Sequence, residues 1–319
     1  MRNAKHVNYF KSQFTRIVLV IVLMFIAGES IAQQDPVYTQ YMENLLNINP
    51  AYAGAKDLLS MMAVSRNQWV GMAHAPVTRA MSVNAPIGKT NMGLGLSFLS
   101  DQIWPIKQNG LYMDYSYTLR FRNKSKLALG LKAGINFYEA NVAGLPTNDP
   151  NDPVFTSDFD QSFLPNLGIG AFYHTPRFYA GISAPKLIKN TIHKSGFSTG
   201  QFKREEVNIF LMSAYVFTVN RSVNFKPSVL SRFVTNAPVS FDINSTFVFA
   251  DRLWLGAMWR LGDSVGGLFQ IQTNNKMKIG YSYDYPISRL GGFNKGTHEI
   301  MVSFDYVLGK KKFRAPQYF

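Results

Sequence analysis

From about residue 58 onward the chain alternates between apolar and polar residues. In segment 111–121, Leu111, Met113, Tyr115, Tyr117, Leu119 and Phe121 fall on one face. Tyr112, Asp114, Ser116, Thr118 and Arg120 fall on the other. A period of two is the period of an extended strand whose faces meet different surroundings. Segment 127–138 repeats it, with Leu127, Leu129, Leu131, Ala133, Ile135 and Phe137 opposite Ala128, Gly130, Lys132, Gly134, Asn136 and Tyr138. Segment 239–250 sets Val239, Phe241, Ile243, Phe247 and Phe249 against Ser240, Asp242, Asn244 and Thr246. Segment 277–285 sets Met277, Ile279, Tyr281, Tyr283 and Tyr285 against Lys278, Gly280, Ser282 and Asp284. About fourteen such segments follow one another, roughly at 58–69, 77–87, 92–103, 110–121, 126–138, 164–174, 177–187, 207–219, 223–234, 239–250, 252–262, 264–274, 277–286 and 297–308. Several are ten to twelve residues long, about what a tilted strand needs to cross a bilayer.

The connections alternate too. Short turns follow the even segments: 88–91, 122–125, 175–176, 220–222, 251 and 275–276. Longer loops follow most odd ones, at about 70–76, 104–109, 139–163, 188–206 and 287–296. Outer-membrane barrels combine tight periplasmic turns, long external loops and an even strand number. A soluble β-sandwich also alternates, but it gives no reason for loop lengths to alternate. Nor does it explain bulky aromatics on nearly every apolar face beside Gly, Ser, Asn and isolated charges on the other. The expectation is an all-β, transmembrane outer-membrane barrel of about fourteen antiparallel strands, with both termini periplasmic. Composition agrees. Charged residues make up 16% of the chain, against about 25% in soluble proteins. The mean hydropathy of −0.06 excludes a bundle of membrane helices. A 14% aromatic content excludes a solvated coil. A charge placed on the outward face at Leu129 or Ile243 is expected to be costly, and one at Asn244 on the polar face to be tolerated.

The N-terminus reads as a secretory signal. Arg2, Lys5, Lys11 and Arg16 precede the apolar run Ile17 to Ile26, and Ser30 and Ala32 are the small residues before a cut after Ala32. The run is too short for a membrane anchor. Removing residues 1–32 takes four basic residues and one acid, leaving 29 Lys and Arg against 18 Asp and Glu, a formal charge of +11. Such a basic exported protein suits lipopolysaccharide, acidic polymers or a charged partner. Nucleic acid is not expected, because the basic residues are scattered and cluster only at Lys310, Lys311, Lys312 and Arg314. The expected organisation is a signal at 1–32, an N-terminal segment at 33–57, a barrel at 58–308 and a basic periplasmic tail at 309–319.

Catalytic and cofactor chemistry finds no footing in the residues. There is no Cys, and the five His show no metal-ligand spacing. Gly88-Lys89-Thr90 resembles the end of a P-loop, but Val83 stands where its first Gly belongs. Gly93-Leu94-Gly95 lacks the third Gly of a dinucleotide motif. Asp284 stands where Gly280-Tyr281-Ser282 would need the closing Gly of a nucleophile elbow. Asp149, Asp152, Asp158 and Asp160 lie in loop 148–160, whose spacing fits no known Ca²⁺ loop and reads as a solvated external loop. No cofactor, metal or enzymatic activity is expected.

The segment after the signal is not strand-like. It runs Gln34-Asp35-Pro36-Val37-Tyr38-Thr39-Gln40-Tyr41, then Asn49-Pro50-Ala51-Tyr52-Ala53-Gly54, and the first strand ends in Arg66-Asn67-Gln68-Trp69. These three blocks, in this order and spacing, resemble the start of the PorP/SprF family of outer-membrane proteins. Its members open with Q-D-P-x-[FY]-[ST]-Q-[YF], then N-P-A-[YF]-A-G, then R-x-Q-W. Leu46 departs from the less apolar or aromatic residue many members carry there. The resemblance implies a non-enzymatic role in the type IX secretion system of Bacteroidetes and their gliding machinery. It implies secretion or surface attachment of a large adhesin-like cargo protein through the cargo's C-terminal domain. Other secretion and gliding components are its implied partners.

From the residues alone, a lumen of about fourteen strands is too wide for wall side chains to fill. The N-terminal segment, with Tyr38, Tyr41 and Tyr52, is expected to form a plug or a periplasmic lid, with a disordered leader as the alternative. Candidate partner-binding or plug residues are Gln34, Asp35, Pro36, Tyr38, Gln40, Tyr41, Asn49, Pro50, Tyr52, Gly54, Arg66, Gln68 and Trp69. Arg66 is expected to pair with a carboxylate and Trp69 to mark the membrane interface. The competing function is a transporter of small hydrophobic molecules, of the fatty-acid-transporter type. A phospholipase would need a Ser–His pair on adjacent outer strand faces, and none is evident.

Overall fold

The computed structural model describes residues 38–143, 159–193, 201–235, 237–273 and 276–307. Fifteen strands form one sheet: β1 (Leu59–Asn67), β2 (Val77–Pro86), β3 (Met92–Ile103), β4 (Ile106–Arg120), β5 (Lys126–Ala140), β6 (Phe159–His174), β7 (Phe178–Ala184), β10 (Asn208–Tyr215), β11 (Phe217–Asn220), β12 (Val223–Val234), β13 (Ser240–Phe249), β14 (Leu253–Arg260), β15 (Ser264–Gln272), β16 (Met277–Pro286) and β17 (Thr297–Tyr306). β11 continues β10 beyond Val216, so the wall has fourteen strands. β1 pairs antiparallel with both β2 and β17, and β10 with both β7 and β12, which closes the barrel. Closure matters in lipid, where no water can satisfy an exposed sheet edge. β8 (Thr191–His193) and β9 (Gln201–Arg204) form a separate hairpin in the β7–β10 connection, which the sequence pattern had as plain loop.

The alternation divides outside from inside. Leu131 on β5 is 59% exposed and its neighbour Lys132 is 4% exposed. The same holds for Met113 against Asp114 and for Phe247 against Thr246. Along these strands the large apolar side chains point away from the barrel, and the polar and charged residues, with glycines such as Gly130, point into it. That inversion of a soluble core is what a hydrocarbon surrounding requires. At the short-turn rim the outward rings of Tyr173, Phe178, Tyr215, Phe217, Phe225, Phe247 and Phe249 lie next to one another at centroid spacings from 4.5 to 6.4 Å. Such a run suits the interfacial aromatic girdle of a membrane barrel.

The expected loop at 104–109 is mostly strand. β3 runs to Ile103 and β4 starts at Ile106, so only Trp104 and Pro105 connect them. β5 and β6 likewise extend past the expected ends, to Ala140 and back to Phe159. Lys107, Gln108 and Asn109 are polar on both faces of β4 and half-buried, so the apolar period is lost there although the strand continues. The acidic loop 148–160 falls mainly outside the described residues, as does the basic tail.

Candidate functional site

Residues 38–58 lie inside the barrel. Asn49 is extended, and Pro50, with φ fixed by its ring, starts a single 3-10 turn at Pro50–Tyr52. The Asn49 side chain caps that turn by accepting from Ala51 N at 3.0 Å. A 3-10 turn at Tyr41–Glu43 and one helical turn at Leu45–Ile48 precede it. Gly54 then takes φ +68°, and the chain passes through Leu58 into β1. Tyr41, Leu45, Leu46, Ala51 and Tyr52 are buried and form one cluster with wall residues Met62, Phe172, Tyr179, Met212 and Met301. Burial of each large apolar side chain contributes up to about 1.5–3 kcal/mol.

Where the segment's backbone is not self-bonded, the wall binds it. In the half near the long loops, Glu299 of β17 accepts from Thr39 N and Gln40 N, both at 2.9 Å. Thr39 Oγ1 donates to Asp284 of β16. Arg66 Nη1 of β1 donates to Thr39 Oγ1 at 2.7 Å, Asp284 at 2.8 Å and Glu299 at 3.1 Å. Gln270 of β15 donates to Gln40 Oε1 at 3.0 Å. At mid-height Tyr41 donates to Ser228 of β12, Ser82 of β2 donates to Asn44, and Ser183 of β7 donates to the Ile48 carbonyl. Lys132 of β5 reaches the Leu46 carbonyl at 3.4 Å, and Asn49 Nδ2 donates to the Ala171 carbonyl of β6 at 3.0 Å. At the short-turn end Ser116 of β4 donates to the Ala53 carbonyl and Asn84 of β2 accepts from Gly54 N. Lys56 pairs with Asp305 and Asp57 with Lys126.

Wall glycines make room for this. A Cβ on Gly130 would collide with the Pro50–Ala51 backbone, one on Gly170 with the Asn49 side chain, and one on Gly93 with the Ala53 carbonyl. Backbone approach this close leaves space for hydrogen only.

The electrostatics favour a fixed segment. Burial pushes the Glu43 carboxyl up, but Lys278 (2.5 Å), Lys226 and Lys56 outweigh it and bring it down to about 2. Burial works against the Lys56 ammonium, yet the Asp305 carboxylate holds its pKa above the ordinary lysine value. Burial raises the Tyr52 phenol to about 12.

Of the expected site residues, Tyr38, Gln40, Tyr41, Asn49, Pro50, Tyr52 and Gly54 are gathered in the lumen, with Arg66 reaching them from β1. Gln68 and Trp69 are not gathered there. They follow the end of β1, where Gln68 N bonds the Pro76 carbonyl and Trp69 N bonds Thr297 Oγ1 at the long-loop rim. Gln34, Asp35 and Pro36 lie outside the described residues. Sequence reasoning missed Glu43, Asp284, Glu299, Gln270 and Lys278 as anchors. For Asp284, Glu299 and Lys278 the signal was present: an isolated charge on the polar face of a strand needs a partner once that face is buried. Asn244 faces inward, as the strand period requires, and is fully buried in the lumen.

Among solved structures, the chain is similar to the TodX deltaS2S3 mutant monoaromatic hydrocarbon channel at 10% identity, over 83% of this chain and 94% of that one, with TM-score 0.46. It is similar to a Pseudomonas aeruginosa FadL homologue at 13% identity, over 88% and 96%, with TM-score 0.45. The KdgM porin matches at 12% identity, over 77% and 99%, with TM-score 0.37. At these TM-scores none bears on function. No curated protein matches the chain. The family model of the type IX secretion system membrane protein PorP/SprF matches residues 30–304, which include the lumenal segment, Arg66 and the wall that holds them, and the chain belongs to that family.

Proposed function

We propose that this outer-membrane barrel is a docking platform for type IX secretion and surface attachment of a large adhesin-like cargo, engaged through the cargo's C-terminal domain. The observation that carries this reading is the occupied lumen. Residues 38–58 bond to β1, β2, β4, β5, β6, β7, β12, β15, β16 and β17, so the barrel's own chain fills the route a small solute would take. A rigid, filled barrel presents its long loops as a stable surface, which suits protein binding better than diffusion of small hydrophobic molecules. In this reading residues 33–57 act as one plug or docking unit after cleavage behind Ala32. The short-turn end, where β17 finishes, faces the periplasm with the basic tail 309–319. The expected periplasmic N-terminus falls on residues outside those described. The first described residue, Tyr38, sits in the long-loop half. Contacts with lipopolysaccharide and gliding components belong to the same reading. Affinity capture from cells carrying a tagged barrel tests it: a large secreted protein should co-purify through its C-terminal domain. Capture that is unchanged when that domain is removed would refute it.

A further inference from the structure

The six short turns, at 87–91, 121–125, 175–177, 221–222, 250–252 and 273–276, share one chemistry. Seven of their 22 residues are Lys or Arg and one, Asp251, is acidic, against 33 and 19 in the whole chain of 319. Lys89, Arg122, Lys124 and Arg177 stand in the first three turns, and Arg221, Arg252 and Lys276 in the other three. All seven are exposed, and each turn has at least one. Basic charge therefore runs around the whole circumference of that rim. The long connections differ: one carries Asp149, Asp152 and Asp158, and another Arg289 and Lys295.

The neighbours of these cations are apolar and face outward. Ile87 and Phe121 are exposed within the turns themselves. Phe178 directly follows Arg177, and Phe249 lies three positions before Arg252; both belong to the outward aromatic run at this rim. Lys276 Nζ stands 4.9 Å from the ring centroid of Tyr306, which is exposed on the outward face of β17. An aromatic girdle sits at headgroup level in a bilayer. Cations just beyond it fall among the phosphates, with their apolar stems laid along the girdle. We infer that the short-turn rim binds anionic phospholipid headgroups around its full circumference. An acidic protein docked on the end of the barrel would use the cations but not their outward apolar neighbours. The inference rests on the barrel lying in a bilayer and does not depend on the docking reading.

Spin-labelled lipids test this with the full-length barrel reconstituted in phosphatidylcholine vesicles. Labelled phosphatidylglycerol should associate with the protein surface about fivefold more strongly than labelled phosphatidylcholine, the contribution of one basic residue near an anionic surface. Salt at about 1 M, where exposed charges are screened beyond about 3 Å, should remove most of that preference. A variant combining Lys89→Gln, Arg122→Gln, Lys124→Gln, Arg177→Gln, Arg221→Gln and Arg252→Gln should bind both lipids alike. Arg289→Gln with Lys295→Gln, at the opposite rim, should keep the preference. Heat-modifiable migration checks that both variants remain folded. Equal association of the two labels with the unaltered barrel overturns the inference, and is the result expected if an acidic protein is the occupant. A preference that persists in the folded six-residue variant, or that salt leaves unchanged, overturns it too.

Discussion

Arg66 and Glu299 are cross-strand partners on β1 and β17, the two strands that close the barrel, and Arg66 Nη1 lies 3.1 Å from Glu299 Oε2. The pair does two things at once. It bridges the seam between the first and last strands, and through Thr39 and Gln40 it holds the lumenal segment. Removing one partner of a buried pair leaves an uncompensated charge. Arg66→Met should therefore destabilise the barrel by about 3–5 kcal/mol, because both Asp284 and Glu299 lose their cation. The temperature at which unheated migration is lost reports this. An unchanged temperature would show that the seam does not depend on the pair.

Glu43 gives a pH prediction. Its carboxyl is depressed to about 2 in the folded protein, below the ordinary carboxylate value of about 4.3. The stabilisation it contributes is fully present above the unfolded value and disappears as pH falls through the folded one. Stability should be flat with respect to this group from pH 7 to about 5, then fall between about 4.5 and 2. Glu43→Gln should remove that part of the profile. Identical melting profiles for both proteins below about pH 4.5 would refute the assignment.

Gly130 faces the lumen on β5, whereas Gly267 is exposed on the outward face of β15. An added Cβ at Gly130 strikes the Pro50–Ala51 backbone, whereas at Gly267 the nearest atom is a carbonyl oxygen 3.9 Å away. Gly130→Ala should loosen the lumenal segment and expose the 38–58 region to limited proteolysis, and Gly267→Ala should not. Equal protection in both variants would mean the segment does not rest against β5.

How far the fold could be read from residues follows from the surroundings of each strand. Where lipid lies outside and the lumen inside, as along Leu129 and Leu131, the period of two is plain. It fades where a strand continues with polar residues on both faces, as at Lys107–Asn109, so strand ends there were missed. Tyr38, Tyr41 and Tyr52 pointed to packing of the N-terminal segment, but not to its partners. Thr39 and Glu299 are 260 positions apart, and the bond between them exists only once the barrel closes. Asn244 lies on the expected face, but nothing in the strand pattern shows whether that face is wet or filled.

The outward face carries its own test. Leu129 is exposed on the lipid side of β5. Leu129→Arg should cost about 2–4 kcal/mol if it lies near the bilayer midplane. Assembly yield in the membrane fraction measures it. Full yield would place Leu129 outside the hydrocarbon.

We propose above that a barrel filled by its own N-terminal segment serves cargo display. Antibody labelling of the cargo on intact cells, in a strain whose barrel lacks residues 34–50, tests this most directly. Heat-modifiable migration in the same cells confirms that the shortened barrel assembles. The shortened barrel should assemble with surface labelling lost, and labelling at the parental level on an assembled barrel would rule out a role of the segment in display.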